Sequence, residues 1–173
     1  MRLLALLALA LVASQAQPQP RRHSTAEERE KVVEIARSLE MDPLNKDAEE
    51  QRNWIIMWSG RVSDIRLKYC AGLLGPLRQS PLGPMYQSNH YSRAIVLQMI
   101  PSAAAFVILN PQKAKDDTAV YTAAVEGSLR AYQSILKMNP KETRPFLDDL
   151  IQKRERGELG DYIRQAAKQN LCP

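Results

Sequence analysis

The stretch Ala94–Leu109, AIVLQMIPSAAAFVIL, is the longest apolar run after the N-terminus. It spans 16 residues, short of the roughly 20 needed to cross the hydrocarbon of a bilayer. It also carries Gln98, Pro101 and Ser102. Length and polarity therefore argue against a membrane span. A segment apolar on nearly every side has to be surrounded by other elements. The small residues Ala103, Ala104 and Ala105 let neighbours approach closely. Pro101 lacks a backbone donor and crowds the preceding turn, so a kink is expected there. The reading is a central core helix over 90–109.

Such a helix needs amphipathic partners, and the rest of the chain supplies them. Ser24 with Glu27, or Thr25 with Glu28, fits a capping box. Val32, Ile35, Ala36 and Leu39 then recur at helical spacing until Asp42-Pro43 stops the helix. A second helix is expected from Lys46 to Trp58, ended by Ser59-Gly60. A third is expected on Val62, Ile65, Tyr69 and Leu73, with Cys70, Leu74 and Leu77 beside them. RQSPLGPMYQSN, 78–89, reads as loop. Asp116 and Asp117 open a long helix to Met138, where Tyr121, Val125, Tyr132 and Leu136 share a face. Pro145 starts another, with Phe146, Leu147, Leu150 and Ile151 buried, and Gly157 stops it. Leu159, Tyr162, Ile163, Ala166 and Ala167 mark the last. Nothing alternates at period two for long enough to make a strand. The expected fold is all-α: a single compact bundle of about six helices, occupying 24–173.

Three helices end alike, in LEMDP, VILNP and LKMNP. The segment AYQSILKMNPKE resembles the second helix of a tetratricopeptide repeat. The spacing between the prolines is 68 and then 29 residues, whereas the repeat period is about 34. A common helix stop explains the likeness better than a repeat.

The N-terminus reads as a secretory leader. Arg2 precedes the apolar run Leu3–Val12, and Ser14-Gln15-Ala16 has the small residues of a cleavage site. Residues 1–16 are read as signal peptide and 17–23 as a flexible lead-in. Export sets the meaning of the rest. The formal net charge of +5 would suggest nucleic acid in a cytosolic chain. In an exported chain the expected counterpart is an anionic envelope polymer or another envelope protein. No nucleic-acid partner and no transmembrane span in the mature chain are expected. The two cysteines, Cys70 and Cys172, are expected to form a disulfide in an oxidising compartment.

Catalytic signals are sparse. His90 has no second histidine to assist it and reads as an exposed or capping residue. Asp116-Asp117 and Asp148-Asp149 are adjacent on helices, so each pair diverges by about 100° and cannot flank one bond. Glu126 and Arg130 suit an exposed i,i+4 ion pair. Trp54 and Trp58 fit a core better than a platform. Lys153, Arg154, Arg156, Arg164 and Lys168 form a weak candidate anion-binding patch. No phosphate loop, nucleophile elbow or metal-ligand cluster is present, and no cofactor is expected. These features suggest an exported, non-catalytic binding or structural module. A peptide-binding helical scaffold and an envelope-associated enzyme are the alternatives.

Overall fold

The computed structural model describes residues 21–68, 70–78 and 90–169. The expected signal peptide, the lead-in before residue 21, the loop after residue 78, Tyr69 and Cys172 lie outside the described residues. Among the described residues the chain is helical: α1 (Ala26–Met41), α2 (Ala48–Arg61), α3 (His90–Leu97), α4 (Met99–Leu109), α5 (Asp117–Met138), α6 (Pro145–Glu155) and α7 (Leu159–Lys168). Two 3-10 segments, Ala71–Arg78 and Pro111–Lys113, complete the set. A helical bundle is the fold, as periodicity implies.

The central helix runs as α3 and α4, interrupted at Gln98. Gln98 keeps right-handed dihedrals (φ −63°, ψ −22°). Pro101 explains the break locally: it has no N–H to offer the Leu97 carbonyl, one turn back. Length does not exclude a membrane span, contrary to the expectation from sequence. The whole run His90–Leu109 is 20 residues, long and apolar enough to cross a bilayer by length and composition. Packing supplies the better argument, because more than half of it is buried within the protein. Ala94, Ile95, Met99, Ala103, Ala104 and Val107 all belong to one core cluster. The centre is also shared: α5 packs on α1, α3, α4, α6 and α7.

The expected third helix is not there. Residues 62–68 and Cys70 are non-helical, and Ala71–Arg78 forms 3-10 turns broken at Gly75 (φ 54°). Val62, Ile65, Cys70, Leu73 and Leu74 are buried nonetheless, so their spacing imitated a helical stripe. Two contacts explain the departure. Asp64 accepts the backbone N–H of Ser24 at 2.8 Å and its hydroxyl at 2.7 Å. A Cβ at Gly75 would lie 2.6 Å from the Phe146 ring. The segment is held by Ser24, just ahead of α1, and by α6.

Smaller differences have similar causes. Helix α2 continues through Ser59 and Gly60 to Arg61, since an open helical glycine costs only about 1 kcal/mol. Thr25, not Ser24, closes the α1 capping box with Glu28, because Ser24 is committed to Asp64. Arg22, expected in the flexible lead-in, bridges Val62: its N–H donates to Arg61 at 3.0 Å and its carbonyl accepts from Ser63 at 2.9 Å.

The three similar helix ends share one geometry. Asp42, Asn110 and Asn139 cap α1, α4 and α5 at φ −137°, −131° and −138°. Each precedes a proline, which forces that extended φ. The likeness is thus local backbone chemistry. The residue before each cap, Met41, Leu109 and Met138, is an exposed large hydrophobic.

Candidate functional site

Helix α2 buries Ala48, Arg52, Ile55 and Trp58. Those positions are one core stripe at helical spacing, so an arginine occupies a place made for an apolar residue. Arg52 is 7% exposed. Its guanidinium donates to the Pro43 carbonyl, in the turn that leads into α2. Its Nε is buried with no partner, and no carboxylate among the described residues forms an ion pair with it. Burial lowers its pKa to about 10, and the neighbouring Arg93 pushes the same way against a smaller pull from Glu49. Arg52 is still charged at neutral pH. An uncompensated buried charge is expensive, and proteins seldom retain one.

Arg93 comes from α3 and meets Glu49 at 3.1 Å. Glu49 is largely in solvent and Arg93 part-exposed, so this pair is weak. Between α2 and α3 lies a pocket of about 410 Å³. Lys46, Arg52 and Arg93 give it cationic character, Glu49 is the one carboxylate among the described lining residues, His90 stands at its edge, and Pro43, Ala94 and Leu97 supply apolar surface. His90 is exposed at the first residue of α3, its ring 3.9 Å from Tyr91. The described lining contains no serine, threonine or cysteine. The chemistry available is anion binding by guanidinium groups.

The patch named from sequence is organised differently. Lys153 binds Asp149 at 2.6 Å and Arg156 binds Glu158 at 2.9 Å. Arg164 pairs with Asp161, and Arg154 donates to Gln133 at 3.3 Å. Lys168 is the last residue of α7 and is exposed. Three of those cations thus already face carboxylates. Cys70 is buried at 1% exposure.

The carboxylate pairs diverge. Asp116 caps α5 through Ala119 at 3.1 Å, while Asp117 binds Lys68 at 2.7 Å. Asp148 accepts from Tyr132, and Asp149 holds Lys153. Glu126 is 3.8 Å from Arg130, whose closer partner is Glu40 at 2.7 Å. Glu40 also accepts from Ser102 at 2.8 Å, and Gln98 donates to Ser102 and to the Ala36 carbonyl. This interior network joins α1, α4 and α5. Trp58 is core, as expected, and stacks with Trp54 at 6.2 Å. Trp54 is half-buried beneath Lys31, whose ammonium lies 4.4 Å from the ring centroid.

Sequence reasoning passed over Arg52. The signal was available: position 52 is four after Ala48 and three before Ile55, on the buried stripe. Within AEEQR it looks like one more charge on a polar helix start. Comparison of the chain with protein-family models, with curated proteins and with solved structures finds no match in any of the three.

Proposed function

We propose that the chain is an exported, non-catalytic helical module that binds an anionic group carried by an envelope partner. The observation that supports binding is the buried, unpaired Arg52 beside the α2–α3 pocket. The Arg2–Ala16 pattern supports export. N-terminal sequencing of protein made in its host is expected to begin near Gln17; an intact Met1 on soluble cytoplasmic protein would overturn export.

Retention on a polyanionic matrix, dextran sulfate, tests the binding. Arg52→Met with Arg93→Gln is expected to elute at markedly lower salt than the parent. Lys153→Gln with Arg156→Gln and Arg164→Gln is expected to elute close to the parent. The reverse order would move the binding face to α6 and α7, and unchanged elution of both would remove the anionic-partner reading.

Export also favours a Cys70–Cys172 disulfide. The hydroxyl of Tyr162 on α7 donates to the Leu73 carbonyl at 2.9 Å, so the last helix lies against the segment that follows Cys70.

A further inference from the structure

We infer that the α2–α3 pocket is a site for one oxyanion, a carboxylate or a phosphate borne by a small molecule or a chain end, held by Arg52 and Arg93 with Glu49 as its internal competitor. The inference rests on the anion-binding reading and gives that reading a ligand class and a mechanism. Arg52 is the fixed element: its stem is packed in the α2 core stripe and one nitrogen is anchored on the Pro43 carbonyl. A guanidinium has five N–H donors in a planar fork. A single described acceptor, Pro43, leaves most of that capacity unspent. Two oxygens of one ligand group match the fork.

Arg93 is the adjustable element. Glu49 holds it at 3.1 Å, in a pair exposed on both sides. A carboxylate on the protein already occupies Arg93, which shows the kind of group the site accepts. An incoming oxyanion would take Arg93 from Glu49 and supply Arg52 with the counter-charge it lacks. Lys46 stands at the same pocket and adds positive field. The volume of about 410 Å³ exceeds what a bare ion fills and suits a small ligand body.

The test uses the mature full-length chain. Its Tm is measured while sodium phosphate or sodium acetate is titrated against sodium chloride at fixed pH and ionic strength. Tm is expected to rise saturably with at least one of the two oxyanions and not with chloride. Phosphate and acetate are separate arms, and the one with the lower half-saturating concentration identifies the group. Arg52→Met is expected to weaken this response at least tenfold and to raise Tm in chloride alone, because an unpaired buried charge is removed at similar volume. Should Arg52→Met not fold, Arg93→Gln, on a part-exposed side chain, carries the same test and is expected to lose several-fold. Glu49→Gln is expected to strengthen the response about two- to five-fold, the worth of an exposed ion pair. Equal Tm in all three salts would overturn the site, as would an Arg52→Met protein that responds like the parent. A flat Tm response with Arg52-dependent retention on dextran sulfate would sink this small-oxyanion site alone and leave the module reading standing.

Discussion

The phenol of Tyr132 on α5 donates a hydrogen bond to Asp148 of α6 at 2.8 Å. The same oxygen accepts the backbone N–H of Arg144 at 2.7 Å. Tyr132 is fully buried, so one hydroxyl satisfies the entry to α6 from inside the core. Burial, together with the Asp148 hydrogen bond, pushes this phenol up to about 12.

Tyr132→Phe keeps the ring and removes that link, leaving the part-buried Arg144 N–H without its acceptor. The expected cost is about 1–3 kcal/mol. Urea denaturation should show a lower midpoint at unchanged slope. The pH dependence has a defined sign. A folded pKa raised from 10 to about 12 contributes stability that is fully present below about pH 10 and is lost as pH rises through about 12. The parent should lose more stability than Tyr132→Phe across that window, measured by urea midpoint at each pH.

The acid limb has a different origin. Arg22 and the Thr25 N–H hold Glu28 down at about 2. Burial raises Asp64, but hydrogen bonds from Ser24 and Arg29 outweigh it and hold it at about 2. A depressed folded pKa contributes stability present above the ordinary value of about 4, lost as pH falls through about 2. Urea midpoints should fall between roughly pH 4 and pH 2. Asp64→Asn should be less stable at neutral pH and flatter over that window, since Asp64 is the group that ties Ser24 and Arg29 to the segment after α2.

Gly127 and Gly60 make a paired test of packing against propensity. Both are helical, and alanine is ordinarily the better helix former by about 1 kcal/mol. At Gly127 a Cβ would sit 1.9 Å from the Ser102 hydroxyl and 2.7 Å from a Glu40 carboxylate oxygen. At Gly60 nothing lies within 4 Å. Gly127→Ala should therefore lower Tm, by an overpacking cost of about 1–3 kcal/mol or more. Gly60→Ala should raise Tm slightly, by about 0.4–1 kcal/mol. Thermal melts of the two variants check both signs.

The cysteines give a chemical test. Intact mass after alkylation without reduction is expected to show no added label, and two labels after reduction. Closing a loop of about 100 residues favours folding by up to roughly 4–5 kcal/mol, with strain reducing it. The reduced protein should therefore melt lower. Labelling of both thiols without reduction, in protein from an oxidising compartment, would remove the pairing.

Most helices were legible because their signals are local. The capping box at Thr25, the proline stops after Asp42, Asn110 and Asn139, and the 3.6-residue stripes of α1, α5 and α6 depend on neighbours within one or two turns. Residues 62–78 misled for the converse reason. Their apolar spacing was real, but hydrogen bonds from Ser24 to Asp64 and the pressure of Phe146 on Gly75 come from distant parts of the chain. Nothing in the sequence near Val62 encodes them.

The candidate site divides the same way. Sequence alone determined that a second helix follows Lys46 and carries Arg52; that its stripe through Ala48, Arg52 and Ile55 is buried came from the structure. It also determined the capped ends, the proline break and the apolar mass of the core helix. Only the tertiary structure decided that α3 would place Arg93 beside Arg52, that no acid would reach Arg52 Nε, and that the C-terminal cations Lys153, Arg156 and Arg164 would face carboxylates. The physical reason is range. Periodicity and capping are set by backbone geometry over a few residues, whereas whether a charge is paired depends on which groups come within about 4 Å across the bundle, and chain contiguity does not specify that.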